Sequence, residues 1–443
     1  MRYVIDAAYV LGWTMFGTWV AEQAARNDFP REVLPETINW HLGAEYNEIA
    51  KAIFKGRGFA DPFRVESGPT AWMPPALPYI LAGLYWLTDY HPPSVIEFVL
   101  ALKALVIVLT GIMVLSESRR LGLLWIGRLM IPVAMLANFR DLFQITHDLW
   151  LNLLCVDLMW LGLNYFWRPT SLWRSVAWGV FGGMAALCSP VIGLNWALAT
   201  VVFSGVLAPV RARLGRYMQS NSRSSGKVSE RSATGDSALL RVVLAGLCSI
   251  LVVTPWTIRN YRLFGRLIPI KSNAPFELWQ SQCLDDDGVL NQSLTRKHPF
   301  VSSGREQREL YLQLGEPEFL RRKQQEAWRC VLRDKLGYAR RVGNRFLAAF
   351  LWYYSYYDEP PYREWWLMIK RCVFPWTILS VAIVLLLRKA HDRQFTSAVF
   401  IYFLHLFPYV LISYGDRYAA PLIGIKCILI LHGMAVLKSV SEG

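Results

Sequence analysis

The stretch Pro74–Thr88 reads PPALPYILAGLYWLT. Two prolines open it, an apolar run follows, and Thr88-Asp89 ends it. A helix needs roughly 20 apolar residues to cross the hydrocarbon core of a bilayer. Ala76–Thr88 is too short for that, so the segment is expected to lie at the outer membrane interface or dip into it. The fold turns on this point, because it sets the direction of every later span. With the segment left outside, Val95–Leu115 runs inward and leaves Arg119 and Arg120 in the cytoplasm, as the positive-inside bias demands. Counted as a span, the same segment would put both arginines outside.

The rest of the chain has the composition this reading needs. Its 443 residues are 54% hydrophobic and include 19 Trp, and the apolar residues fall in long uninterrupted blocks. The expected fold class is an all-α polytopic membrane protein with about ten transmembrane helices and both termini inside. A formal charge of +14 would point to nucleic acid in a soluble protein. Here much of the basic excess lies in loops beside the spans, where anionic membrane lipids and the positive-inside bias account for it, so nucleic acid is set aside as a partner. The seven cysteines show no metal-ligand spacing. Cys155, Cys188, Cys248, Cys372 and Cys427 lie in or beside apolar blocks and read as small core residues. Cys283 and Cys330 share one polar loop, and pair only if that loop faces an oxidising compartment.

Residues 1–210 read as an N-terminal transmembrane half. Its first span, Tyr3–Ala21, lacks a signal-peptide cleavage pattern and is expected to be retained. A first outer loop, 22–93, follows. Within it Gly43–Phe54 reads as a helix with Ile49, Ala52 and Ile53 on one face and Glu45, Glu48 and Lys51 on another, stopped by Gly56 and Gly58. Further spans are expected at Leu123–Phe139, Leu149–Phe166, Leu172–Leu187 and Val191–Leu207, the last two forming a hairpin through Ser189-Pro190. The Ser-rich stretch 211–238 reads as a disordered basic cytoplasmic linker.

Residues 239–443 form the second half, with spans at Leu239–Trp256, Cys372–Leu387, Phe395–Ile412 and Ala419–Leu437. Its extracytoplasmic region, 259–370, is expected to be mainly helical. There Gly315-Glu316-Pro317 opens a helix with Leu320, Trp328, Val331, Leu332 and Leu336 on one stripe. Arg321, Arg322, Arg329, Arg333 and Lys335 cover much of the remainder, so it reads as a basic amphipathic helix on the outer leaflet, with a substrate site as the alternative. No internal repeat of the kind found in inverted-repeat transporters is visible.

This topology brings Glu45, Glu48, Asp148, Arg259 and Arg417 to one outer interface from distant parts of the chain. Ionisable groups at membrane depth are costly and usually face a cavity or a functional site. Carboxylates serve as general bases or bind a metal, and arginines hold phosphate bidentately. Together they suit a reaction on a phosphate-linked lipid. Each also has a plainer role: Glu45 and Glu48 on a solvated helix face, Asp148 as a helix N-cap, Arg259 and Arg417 as anchors that snorkel to headgroups. His41 and Glu45, four residues apart, supply two ligands for a divalent cation and no third. Asp285-Asp286-Asp287-Gly288 lacks the ligand spacing of a calcium loop and reads as a polar turn.

In their order along the chain, the motifs resemble those of the GT-C membrane glycosyltransferases, in the group related to protein O-mannosyltransferases and the lipid A aminoarabinose transferase. The matching pieces begin with Gly43-x-Glu45-x-x-x-Ile49-Ala50, Gly56-x-Gly58-Phe59 and Gly68-Pro69-Thr70-Ala71-Trp72-x-x-Pro75-x-x-Pro78-Tyr79. They continue with Asp148 at the start of a span, Pro255-Trp256-x-x-Arg259-Asn260-Tyr261, Glu277-Leu278-Trp279, Gly315-Glu316, and Arg417-Tyr418 before the last span. The resemblance covers nearly the whole chain.

It implies a GT-C-like fold in the plasma (inner) membrane, an active site on the extracytoplasmic face, and a polyprenyl-phosphate-linked sugar as donor. The acceptor is a glycan, a lipid or a protein, and transfer is an inverting single displacement. By the same resemblance Glu45 or Glu48 is the base, Asp148 positions the acceptor or a metal, and Arg259, Arg417 and Tyr418 bind the lipid phosphate. A divalent cation is compatible with these groups and not required by them. The chain departs from the pattern at Leu42, where better-studied members carry an acidic residue, usually Asp; Glu45 resembles a less studied bacterial subgroup instead. That departure keeps a non-enzymatic alternative open: a carrier or flippase for a lipid-linked precursor, or an inactive scaffold.

Overall fold

In lipid, a backbone has to satisfy its own N–H and C=O groups, and a helix does so within one segment. The long apolar runs of this chain accordingly form helices. The computed structural model describes residues 2–28, 42–144, 149–167, 171–205, 232–284, 287–291, 297–353, 365–387 and 392–442. The first helices are α1 (Arg2–Asp28), α2 (Ala44–Phe54), α3 (Ala76–Leu87), α4 (Pro92–Arg120) and α5 (Leu124–Ala137). A π turn at Arg140–Gln144 precedes α6 (Leu149–Leu161), which continues into a second π turn at Gly162–Phe166. Then come α7 (Leu172–Cys188), α8 (Pro190–Phe203) and the long α9 (Ser232–Phe264). Four shorter helices follow: α10 (Ala274–Cys283), α11 (Arg305–Leu314), α12 (Glu316–Arg333) and α13 (Lys335–Phe350). The chain closes with α14 (Trp365–Val373), α15 (Trp376–Leu387), α16 (Arg393–Leu411), a 3₁₀ segment (Asp416–Leu422) and α17 (Ile423–Ser441). Among the described residues β pairing is limited to the isolated bridges Ala60–Pro69 and Val289–Tyr414.

Seven helical stretches among the described residues are long and apolar enough to cross a membrane: Val4–Ala21, Pro92–Arg120, Leu149–Phe166, Ala238–Phe264, Met368–Leu387, Arg393–Leu411 and Asp416–Ser441. Three expected spans are shorter, with α5, α7 and α8 at 14, 17 and 14 residues. At 1.5 Å per residue these give about 21–26 Å of helix against a hydrocarbon core of about 30 Å. Ser189, in extended conformation, separates α7 from α8, and Pro190 restarts the helix where its missing N–H costs nothing. α3 has 12 residues, as short as its sequence requires. α9 begins at Ser232, inside the expected linker, and runs past Trp256 to Phe264, so Arg259 stands on a helix.

Gly179 and Gly183 let α7 and α9 meet backbone to backbone. A Cβ on Gly183 would come within 2.8 Å of the Ser249 carbonyl oxygen, and one on Gly179 would overlap that of Ala245. Small residues four apart serve this purpose in membrane helix pairs. The opposite side of α9 carries exposed Leu240, Val243, Leu247, Ile250 and Leu251.

The described residues within 42–75 and 265–353 form a headpiece with a core of its own. Phe63, Trp72, Phe276, Trp279, Phe300, Tyr311 and Phe319 form that core. A Cys283–Cys330 disulfide joins α10 to α12.

Candidate functional site

The segment 43–58 is built as its sequence suggests. Ile49, Ala52 and Ile53 are buried under α2, while Glu45, Glu48 and Lys51 lie half-buried on its other side. Gly56 and Gly58 follow the helix at φ +75° and +74°, backbone that L side chains rarely adopt. Leu42, at the position where the resemblance expects an acid, is 1% exposed and packs into the bundle core.

The two carboxylates of α2 have different neighbours. Glu48 accepts a hydrogen bond from Lys51 at 2.8 Å, one turn along. Glu45 lies 3.3 Å from Nε2 of His298, which comes from the far side of the headpiece. The Phe300 N–H donates to His298 Nδ1 at 3.2 Å, so the ring proton sits on Nε2 and points at Glu45. Phe63, Trp72 and Phe276 surround the imidazole edge-on at 5.3–6.1 Å. Burial among these rings lowers the imidazole pKa to about 4; Glu277 works against the shift and Arg417 with it. At neutral pH His298 is uncharged, with Nε2 beside the Glu45 carboxylate.

Arg259 is engaged with backbone. Its Nη1 donates to the Thr70 carbonyl at 2.6 Å and to Asn260 Oδ1 at 2.9 Å, and Nη2 donates to the Phe59 carbonyl at 2.7 Å. The guanidinium also stacks over Trp256, 4.7 Å from the ring centre. Beside it Glu316, 3% exposed, accepts from the Ala71 N–H at 2.9 Å, Ser272 Oγ at 2.8 Å, Tyr311 OH at 2.8 Å and Thr70 Oγ1. Burial raises the Glu316 carboxyl above its usual range, and the four donors oppose that shift. Arg259 and Glu316 together clasp the Gly68–Trp72 turn to the rest of the headpiece. The sequence names both residues; it does not reveal that both bind the same segment, 59–71.

Arg417 is exposed, with its guanidinium 5.1 Å from the centre of the Tyr418 ring, and Tyr418 stacks on Tyr409 at 4.3 Å. Of the expected site residues, Glu45 contacts His298, on which Arg417 acts only through its charge. Glu48 and Arg259 are held elsewhere by their own contacts. Asp148 and His41 lie outside the described residues.

A second group of charges was legible only as isolated letters in apolar runs. Lys103, on α4, is 4% exposed and its Nζ has no hydrogen-bond partner among the described residues. It shares a small cavity with Asp141, Trp150 and Leu153. Lys370 donates to Asp141 at 2.7 Å and lies 3.8 Å from Asp416, the residue before Arg417. Tyr353 OH donates to the same Asp416 at 2.8 Å. Charged side chains thus run from Asp416 through Lys370 and Asp141 to the cavity at Lys103. The cavity adjoins a second one through Ile107, Leu142 and Leu153, and Thr110 lines this second cavity.

Lys103, Thr110 and Glu117 recur at seven-residue intervals, about two turns apart on one side of α4. Thr110 donates to Asp157 of α6. Glu117, at the other end, contacts His432 Nε2 at 2.9 Å and accepts from Arg120, which also reaches Asp392 at 2.8 Å. A polar seam therefore follows α4 from Lys103 to Glu117.

Among the described residues no three His, Cys, Asp or Glu side chains converge as a metal site. Comparison of the chain with protein-family models, curated proteins and solved structures gives no match.

Proposed function

We propose that this chain is an integral membrane glycosyltransferase that moves a sugar from a polyprenyl-phosphate donor to an acceptor at the extracytoplasmic face. The observation that carries the reading is Lys103. It is a buried amino group without a hydrogen-bond partner, in a small cavity that it shares with Asp141. A group so expensive to bury fits a site that receives an anion. The Cys283–Cys330 disulfide supports an extracytoplasmic headpiece.

In this reading the acceptor oxygen or nitrogen attacks the anomeric carbon, and the bond from that carbon to the phosphate oxygen breaks. The acceptor proton passes to Glu45, and polyprenyl phosphate leaves with the bonding electron pair. His298, donating to Glu45, orients its carboxylate. Lys103, with Arg417 and Tyr418 nearer the surface, offsets the charge that grows on the phosphate. Glu48 and Arg259, held by Lys51 and by backbone carbonyls, act as supports, with Glu48 the alternative base. Transfer of labelled sugar by purified protein tests this: Glu45→Gln is expected to lower kcat by about 100-fold or more, the usual worth of a general base. Full turnover in that variant rules Glu45 out.

The seam along α4 favours a second reading, a carrier or flippase for the lipid-linked precursor. Polar groups along α4 from Lys103 to Glu117 suit passage of a charged headgroup. That reading requires translocation of labelled lipid between leaflets with no sugar transfer.

A further inference from the structure

α12 and α13 meet in an elbow at Asp334, whose carboxylate accepts the Gly337 N–H at 2.8 Å and caps α13. Trp328, Leu332 and Leu336 follow one another around this elbow at four-residue intervals and are 50%, 63% and 84% exposed. Arg329, Arg333, Lys335 and Arg340 stand beside them, all exposed, and none makes a hydrogen bond or ion pair among the described residues. The neighbouring Arg321 and Arg322 differ, being paired with Glu318 and Glu326. Four unneutralised cations around three exposed apolar side chains form the pattern of an interfacial lipid anchor.

The position of the elbow gives the pattern its meaning. Arg345 donates to the Val410 and Leu411 carbonyls at 2.6 and 3.2 Å, groups that the C-terminal end of α16 leaves open. Tyr338 OH also reaches the Leu411 carbonyl, at 3.4 Å. α13 is thus fastened to the end of a candidate span, at the level where the apolar bundle gives way to the headpiece. Farther along α13, Phe346 and Leu347 are each 46% exposed, and Trp352 just beyond it is 58% exposed. The Cys283–Cys330 bond, one residue from Arg329, fixes α12 from the other side.

We infer that the α12–α13 elbow docks on the surface of an anionic phospholipid leaflet. Trp328, Leu332 and Leu336 enter the headgroup region, and Arg329, Arg333, Lys335 and Arg340 bind lipid phosphates. The occupant is the bilayer around the protein, and the surface is separate from the cavity at Lys103.

The test uses the full chain with Leu336→Cys in a Cys372→Ser background, since Cys372 is the exposed free thiol. The spin-labelled protein goes into nanodiscs of phosphatidylcholine alone or mixed with phosphatidylglycerol. A roughly twofold fall in accessibility to an aqueous nickel chelate is expected with the anionic lipid, reversed by salt. A label at Arg305→Cys, at a site whose side chain is 77% exposed, is expected to stay aqueous in both. Changing Arg329, Arg333, Lys335 and Arg340 together to Gln is expected to remove the dependence on anionic lipid while the disulfide still forms. A label at position 336 that is equally accessible in both discs overturns the inference. So does withdrawal by inorganic phosphate where chloride of equal ionic strength has no effect, which would assign the cations to a free anion.

Discussion

Glu45, Glu48 and Glu316 are chemically alike, and their neighbours give them different tasks. Glu316 has its oxygens filled by four donors, Glu48 has Lys51, and Glu45 faces a neutral imidazole. His298 takes a proton near pH 6.5 in an unfolded chain but only near 4 in the folded protein. The unfolded state therefore binds the extra proton between those values, so stability contributed by the neutral ring is present above 6.5 and lost as pH falls toward 4. The shift, in which burial outweighs the opposing charge of Glu277, is worth about 3 kcal/mol. Thermal midpoints measured across this window are expected to fall with acidification in the wild type and to stay nearly level in His298→Gln. Lys103 yields a prediction of another kind. Lys103→Met removes a buried amino group that lacks a hydrogen-bond partner, so the fold should keep or gain thermal stability. kcat/KM for the lipid donor should nonetheless drop about tenfold or more if the ammonium meets phosphate. A variant that is stable and fully active would sever Lys103 from the site.

At the scale of elements, local signals were legible and remote partners were not. Gly56 and Gly58 end α2, and Glu316-Pro317 opens α12, as their letters indicate. The stripe read on α12 divides differently, however. Leu320 and Val331 are buried with Phe319 and Ala327, whereas Trp328, Leu332 and Leu336 face out, and the helix breaks at Asp334 before Leu336. Arg259 reads as a phosphate ligand or an interface anchor, yet it donates to carbonyls 189 and 200 residues earlier in the chain, which no local pattern encodes. Two element contacts invite measurement. Gly183→Val would force a methyl-bearing Cβ against α9 and is expected to cost about 1–3 kcal/mol, seen as a lower thermal midpoint. Breaking the Cys283–Cys330 link, which closes 47 residues of chain, is expected to cost up to about 4 kcal/mol in the chain-entropy picture. Cys283→Ser should then melt like the reduced wild type.

For the whole molecule, the apolar blocks gave away the helical membrane character, and spacing gave most of the helices. The buried charges between the helices remained hidden, because a sequence records Lys103, Asp141 and Lys370 without recording that they meet. The direction of the chain through the membrane rests on Pro74–Thr88 and can be measured. Ser225→Cys is expected to resist an impermeant thiol reagent added from outside, and Asp286→Cys to react with it. The reverse labelling would turn the headpiece toward the cytoplasm and end the glycosyltransferase reading. The seam on α4 also restricts how the two ends can move together. Turning that helix by one residue, about 100°, would swing Lys103, Thr110 and Glu117 away from Asp141, Asp157 and His432 at once. Sliding it would do the same. α4 behaves as a keyed shaft, locked at two heights by Thr110 and Glu117, so opening of the bundle is expected to come from tilting of the helices around it. One such neighbour is α1, only 28% of whose spanning window is buried.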